Sequence, residues 1–151
     1  MNAEPWSRRA ATMMIAFLGA CTSTVQAAPY VMFKDPNCGC CTDWAEHARS
    51  SLHHAVEVRE DESMDSVKAR LGVPADLASC HTTVVDGYII EGHVPAKEVE
   101  RLLAERPEGV KGLAVAGMPM GSPGMEAQGH YTEYEVIAFG DAGRTVYARY
   151  P

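Results

Sequence analysis

Four cysteines of this 151-residue chain form two groups whose spacing suits metal binding or thiol redox chemistry. Cys38, Cys40 and Cys41 lie within one Cys-Gly-Cys-Cys segment, and Cys80 directly precedes His81. A thiolate is both the nucleophile of disulfide exchange and a soft metal ligand. Cys38 and Cys41 have the Cys-x-x-Cys spacing of a redox pair, but a third neighbouring thiol would scramble a simple dithiol switch. The three thiols therefore favour a thiolate-bridged metal site.

Methionine and histidine residues add further soft ligands. Met118 and Met125 lie in a stretch rich in glycine and proline, outside any helical stripe that would place them in a core. His93 follows a predicted hairpin and either reaches the site or borders the next helix; Met120 and His130 are further candidates. Thiolate, thioether and imidazole together select copper, particularly Cu(I), whereas zinc would use the thiolates and histidines alone. The alternative role for the methionines is to fill gaps beneath the loop.

Periodicity and turn signals predict the elements that must position these residues. The predicted strands are 30–34, 56–60, 82–86 and 88–92, and the predicted helices are 39–52, 64–71 and 95–107, the last bounded by prolines. The Asp86-Gly87 pair predicts a tight hairpin turn. On the first helix, Trp44, Ala48 and Leu52 recur at four-residue spacing and are expected to face the core. Three histidines on or after this helix are expected to be solvated: His47, His53 and His54.

The predicted order β-α-β-α-β-β-α indicates an α/β (α+β) fold with a thioredoxin-like core over residues 28–107. Residues 108–130 form a Gly/Met/Pro-rich stretch that is expected to contain no regular element of its own. Because so long a connector is unusual in a compact domain, we expect it to serve the metal site as a loop. Residues 131–151 contain two further predicted strands, 133–139 and 144–150, which form a C-terminal β-hairpin.

This fold predicts where the two cysteine groups meet. Cys38 lies where the first strand gives way to the first helix, and the unpaired N–H groups of a helix N-terminus lower thiol pKa values. His81 stands where thioredoxin-like folds place a cis-proline, which is absent here, and Cys80 lies beside it. A fourth thiol and an imidazole should therefore face the first three thiols. The alternatives to a metal-binding role are an inert disulfide within the first group and, for Cys80, a small side chain that is buried as part of the apolar core.

Composition and charge exclude several classes of protein. With 46% apolar and 22% charged residues, the chain has the composition of a folded globular domain. A net charge of -7 and only 7% aromatic residues argue against a nucleic-acid partner. The sequence contains no Ser-His-Asp arrangement, glycine-rich phosphate loop or paired catalytic carboxylates.

Residues 1–27 have the pattern of a secretory signal peptide. Two arginines precede a short apolar stretch over 10–20. A cleavage site that ends in Ala27 would start the mature chain at Ala28. The apolar stretch is too short to span a bilayer as a helix. Alternatively, residues 18–21 resemble a lipobox, in which case Cys21 would be lipidated and attach the protein to a membrane. Both alternatives predict export to the bacterial envelope, either as a soluble periplasmic protein or as a lipid-anchored one.

Several ordered blocks of sequence resemble the signatures of the CopG-like family of bacterial envelope proteins. They are NCGCC (37–41), LASCHT (77–82), VDGY (85–88), EGHVP (91–95), and GMP (117–119) followed by GSPGME (121–126). The resemblance implies a thioredoxin-like fold, a cysteine-bridged multinuclear copper site and a role in copper resistance that includes redox chemistry on copper. Carried over by position, the implied ligands are Cys38, Cys40, Cys41, Cys80, Met118, Met125, His81 and His93.

Three hypotheses about function follow. The first is an envelope copper-binding protein that sequesters copper, hands it on or changes its oxidation state, with copper efflux pumps or periplasmic copper chaperones as partners. The second is a thiol–disulfide oxidoreductase with Cys38 as the nucleophile and Cys41 as the resolving thiol. The third is a structural zinc module that would unfold on chelation.

Overall fold

The computed structural model describes residues 28–60 and 62–151. The predicted signal peptide, with the alternative cleavage site before Cys21, therefore lies outside the described residues. Within this part the strands are β1 (Tyr30–Lys34), β2 (Val56–Arg59), β3 (His81–Val85), β4 (Tyr88–Glu91), β5 (Val110–Ala114), β6 (Tyr134–Gly140) and β7 (Gly143–Tyr150). The helices are α1 (Gly39–Leu52), α2 (Met64–Leu71) and α3 (Ala96–Glu105), with a short 3-10 turn at Ala75–Leu77. The predicted elements are thus confirmed to within one or two residues at their ends.

The described strands form one mixed sheet in the order β2-β1-β3-β4-β5-β6-β7. β1 and β2 run parallel, β3 is antiparallel to β1, and β3 and β4 form the predicted antiparallel hairpin. With the helices between them, these strands give the β-α-β-α-β-β-α order, which confirms the thioredoxin-like α/β (α+β) core. β6 and β7 form the predicted C-terminal hairpin.

The expectation that the stretch from 108 onward contains no regular element is wrong for its first part. Residues 110–114 form β5, which pairs in parallel with β4 and antiparallel with β6. The sequence Val-Lys-Gly-Leu-Ala lacks clear alternation and contains a glycine, so it gave no strand signal by itself. Gly112 is required there, because a side chain would collide with the carbonyl of Ile89 on the neighbouring strand. Pairing on both sides therefore imposes the strand, and β5 joins the C-terminal hairpin to the core.

The β3–β4 turn sets the register that later positions the site. Asp86 and Gly87 both have positive φ, 47° and 88°, as a two-residue hairpin turn between twisted strands requires. Their neighbours Val85 and Tyr88 are paired, and the ladder continues to the pair of Thr82 and Glu91. Extending it by two residues places Cys80 opposite His93.

Apolar side chains cover both faces of the sheet. On one face α1 and α3 pack against it, with Trp44, Leu102 and Ile90 all buried in one core cluster. On the other face Leu77 and Ile89 belong to a second cluster that includes residues next to α2. Ile89 and Ile90 are successive residues of β4 and so point to opposite faces. Trp44 and Ala48 are buried as predicted, and Leu52 is partly buried against the same core.

No helix among the described residues is long and apolar enough to cross a membrane.

Candidate metal centre

The first thiol group lies at the N-terminus of α1. A turn at Asp35–Asn37 precedes it, in which the N–H of Cys38 bonds to the carbonyl of Asp35 at 3.0 Å. Cys38 is the N-cap residue, makes no side-chain capping bond, and is followed by a first helical turn without acidic residues. The helix N–H groups and the positive end of the helix dipole are therefore available to stabilise thiolates there.

Cys38 and Cys41 form a disulfide, whereas Cys40 and Cys80 are free thiols. The Sγ atom of Cys40 lies 3.4 Å from that of Cys38. The sulfur atoms of all four residues lie within 4.8 Å of one another, so the fold brings Cys80 to the first group as expected. Cys38 and Cys41 can act as thiolate ligands only after reduction of their disulfide, and for both residues a metal-binding role stays a prediction about the reduced protein.

Two histidines complete a second group around Cys80. The Cys80 Sγ atom lies 3.1 Å from Nε2 of His93 and 3.4 Å from Nδ1 of His81. His93 donates its Nδ1–H to the carbonyl of Pro123 at 2.8 Å, which leaves the Nε2 lone pair directed at the sulfur. Of the two alternatives for His93, the structure therefore favours the one in which it reaches the site.

His81 is completely buried, and its Nε2 atom has no hydrogen-bond partner among the described residues. Its ring packs 4.7 Å from the Trp44 ring and 5.0 Å from the His93 ring, measured between centroids. Burial lowers the pKa of His81 well below its usual value and also lowers the pKa of His93. Both rings are thus neutral near pH 7 and keep a lone pair for a metal.

Burial also controls the protonation of the central thiol. The pKa of Cys80 is raised to about 11, mainly by burial and with a smaller contribution from Cys40, against a lowering hydrogen bond from Ser79. Without metal the group is therefore a neutral thiol at pH 7. A metal ion that binds there displaces its proton, so binding must release acid.

A buried ion pair, which the sequence analysis did not predict, lies next to Cys80 and holds the residue before it. Glu91 in β4 is fully buried and pairs with Lys68 of α2. Its carboxylate also accepts hydrogen bonds from the Thr82 hydroxyl and from the N–H of Ser79, both at 2.6 Å. The signal that could have revealed it is a charged residue in an otherwise apolar strand, because such a residue requires a partner when it is buried.

The loop after β5 closes over the start of α1. Gly124 packs so closely on this helix that an added Cβ would lie 2.7 Å from the Cys40 carbonyl oxygen and from the Trp44 nitrogen. Met125, the next residue, is half-buried. Met118 is 53% exposed and lines an open groove of about 950 Å³ together with Tyr134 and other residues of the C-terminal hairpin. The loop therefore contacts the start of α1 at Gly124 and the His93 ring at Pro123.

The remaining candidates lie farther out. Met120 is exposed in the same groove as Met118, and His130 is exposed at the end of the loop. The expectation that His47 and His54 are merely solvated is wrong. His47 accepts a hydrogen bond from the N–H of Ala96, and His54 stacks on Tyr30.

The donor set of this centre fits a soft metal. Its two groups are Cys38, Cys40, Cys41 and Cys80, and Cys80, His81 and His93. They contain only sulfur and imidazole nitrogen, donors that suit copper or zinc rather than magnesium or calcium.

Comparison with known proteins agrees with this geometry. Two solved structures named as copper resistance protein CopG, form 1 and form 2, match with a TM-score of 0.75 and 41% sequence identity. Each match covers 82% of this chain, and 97% and 100% of the respective CopG chains. The chain belongs to the CopG-like family. A family described as "Protein of unknown function, DUF411" also matches residues 77–125. None of the curated proteins compared with the chain matches it.

Within this CopG-like chain, the DUF411 match includes Cys80, both site histidines and the loop methionines Met118 and Met125. The Cys38–Cys41 segment precedes that match. The two parts of the centre thus come from separate stretches of sequence that the sheet brings together.

Proposed function

We propose that this CopG-like protein binds copper on a cysteine-rich centre and thereby contributes to copper resistance. The observation that carries the proposal is the meeting of four cysteine sulfurs within 4.8 Å of one another, with Cys80 shared by two buried histidines. Soft thiolates and neutral imidazoles favour copper or zinc over magnesium, calcium and manganese. The name of the two similar solved structures, copper resistance protein, supports the same assignment.

Thiolates that bridge metal ions explain why so many sulfurs are needed. Four thiolates around one Cu(I) would place an excess of negative charge in a partly buried site. Shared among several Cu(I) ions, the same sulfurs would balance the charge. We therefore propose a multinuclear thiolate-bridged copper cluster in the reduced protein, with Met125 and Met118 of the covering loop as additional thioether ligands.

Export to the bacterial envelope is part of the same proposal and rests on the signal-like pattern of residues 1–27. There the protein would sequester copper, change its oxidation state or exchange it with periplasmic copper chaperones or efflux pumps. Cleavage before Ala28 would give a soluble protein, and lipidation of Cys21 an anchored one. N-terminal sequencing of the exported chain distinguishes the two.

Metal content per chain tests the proposal directly. Protein reduced and purified without oxygen, after expression with copper and zinc supplied together, should contain more than one copper per chain and little zinc. Cys40→Ser should lower the copper number, because it removes one bridging sulfur. Glu46→Gln is a matched surface control on α1, where Glu46 is exposed. Zinc in place of copper, with unfolding on chelation, would instead establish the structural zinc module.

One observation favours a second candidate, a thiol–disulfide oxidoreductase. Cys38 and Cys41 are joined in a disulfide at a helix N-terminus, and the free thiol of Cys40 lies 3.4 Å from the Cys38 sulfur. This candidate predicts metal-independent dithiol exchange that survives Cys40→Ser and is lost in Cys38→Ser. Full exchange activity in Cys38→Ser would exclude it.

A further inference from the structure

The Cys38–Cys41 disulfide divides the donors of the centre into two unequal sets. It removes two of the four sulfurs as ligands and leaves Cys40 and Cys80 as thiols. The set made of Cys80, His81 and His93 is untouched by it. Cys40 belongs to the sulfur group and not to the group that contains the histidines.

The spacing of the untouched set is already close to that of metal ligands. Its two sulfur–nitrogen distances are 3.4 Å, to His81, and 3.1 Å, to His93. Typical bond lengths around a tetrahedral ion place sulfur and nitrogen ligands about 3.5 Å apart. These two sulfur–nitrogen distances therefore need to change by only a few tenths of an ångström, which side-chain rotation can supply.

The surroundings orient these ligands before metal binds. The bond from His93 Nδ1 to the Pro123 carbonyl fixes that ring with Nε2 toward Cys80. His81 is fully buried, and its Nδ1 atom, 3.4 Å from the Cys80 sulfur, is the ring nitrogen that faces this set. One thiolate with two neutral imidazoles balances the charge of one Cu(I), which favours burial of a single ion.

We propose that the Cys38–Cys41 disulfide switches the centre between two metal-binding states. While the disulfide is closed, Cys80, His81 and His93 form a separate site for a single copper ion. When it opens, the added thiolates convert the centre into the multinuclear site. This inference rests on the proposed copper function for the reduced state only.

The switch is a two-electron step. A dithiol reductant attacks the Cys38–Cys41 bond, its two thiols become a disulfide, and the two electrons and two protons that it loses yield the thiols of Cys38 and Cys41. Each thiol then releases a proton when it binds copper. No copper ion changes oxidation state in this step.

Copper titration of the two redox forms tests the switch without any variant. The full chain is isolated in its oxidised form or treated with a dithiol that is then removed, and each form is titrated with Cu(I) under nitrogen. Peptide mapping after alkylation verifies that Cys38 and Cys41 are alkylated only in the reduced form. We expect one tightly bound copper per chain in the oxidised form and several in the reduced form. If only the reduced form binds copper, or if both bind the same number above one, this inference fails and the proposed function stands. If both bind one copper, the proposed cluster fails as well, and if neither binds, both proposals fail.

Variants locate the single-copper site. In the oxidised form, Cys80→Ser and His93→Ala should abolish the single copper, whereas Cys40→Ser should retain it and lose copper only in the reduced form. The double variant Cys38→Ser, Cys41→Ser should bind one copper whether or not it has been treated with dithiol. Loss of the oxidised-form copper in Cys40→Ser, or its retention in Cys80→Ser, would overturn the assignment.

Discussion

The carboxylate of Glu91 accepts a hydrogen bond from the main-chain N–H of Ser79 at a distance of 2.6 Å, although twelve residues separate the two in sequence. Ser79 immediately precedes Cys80, so this bond holds the backbone at the point from which the central thiol projects. Burial raises the pKa of Glu91, while Lys68 and the hydrogen bonds oppose that effect. The ion pair keeps the carboxylate charged and able to accept all of its bonds.

Glu91→Ala should therefore destabilise the metal-free protein strongly. Removing the carboxylate leaves Lys68, whose side chain is only 13% exposed, and the N–H of Ser79 without their partner. The loss of one member of a buried ion pair typically costs about 3–5 kcal/mol of unfolding free energy. Urea denaturation measures the change. The control is Glu135→Ala, which breaks an exposed pair with Arg149 and should cost at most about 1 kcal/mol. Equal losses in both variants would contradict the role given to Glu91.

Gly124→Ala should lift the loop from the start of α1. Gly124 has φ +81°, and a Cβ there would lie 2.7 Å from backbone atoms of Cys40 and Trp44, which cannot move aside freely. We expect a loss of both stability and Cu(I) affinity in the reduced protein, measured by urea denaturation and competition with a chromophoric chelator.

Gly129→Ala is the matched control. Gly129 has a similar φ of +74°, but beyond its chain neighbours no atom of the described residues lies within 4 Å of the position that an added Cβ would occupy. This variant should show only the backbone strain of about 1–2 kcal/mol expected for alanine in a left-handed conformation. We expect Gly129→Ala, but not Gly124→Ala, to bind copper as tightly as the wild type. If the two variants bind copper with the same affinity, the contact of the loop with α1 is unimportant for the centre.

Stability of the metal-free protein should fall on mild acidification. Burial is the main cause of the lowered pKa values of His47, His81 and His93. The unfolded chain, in which histidine titrates near pH 6.5, then binds more protons than the folded chain just below that pH. The unfolding free energy is therefore at its full value above about pH 6.5 and decreases as the pH falls toward the lowered values.

Urea denaturation at a series of pH values between about 7 and 5, with the disulfide intact, tests this dependence. His47→Gln should reduce the slope, because it removes one titrating ring while its amide oxygen can still accept the bond from Ala96. His53→Gln, at an exposed position, is the matched control for the substitution. A wild-type stability that is flat or rises as the pH falls would refute the prediction.

Met125→Leu should weaken Cu(I) binding and leave zinc binding unchanged. Leucine keeps the size and apolar character of the side chain but removes the thioether, a ligand that Cu(I) accepts and zinc does not use. Met125 follows Gly124, which packs on the helix that contains Cys40 and Cys41. Met120→Leu is the control, because Met120 lies in the same loop but is not one of the two methionines proposed as ligands. Competition titrations with each metal measure both affinities; a matching loss of zinc affinity would indicate a packing effect instead.

Local sequence determined most of the core fold. The boundaries of α1 and α2 follow from apolar spacing and from the turn residues that flank them. The Asp86-Gly87 turn determined more than the hairpin itself, since its register places Cys80 opposite His93 once the ladder is extended. The clustering of Cys38, Cys40 and Cys41 needed no tertiary information, because residues within one helical turn are neighbours in any case.

Tertiary structure decided the features that depend on distant partners. β5 has no strand signal of its own and exists because β4 and β6 offer hydrogen bonds on both sides. The bond from His93 to Pro123 and the contact of Gly124 with α1 join segments that are far apart in sequence. Periodic sequence patterns do not reveal such contacts. The disulfide between Cys38 and Cys41 likewise selects one pair among three neighbouring thiols. A periodic pattern indicates which face of a helix or strand is buried. Which other segments pack against that face is determined only when the whole sheet assembles.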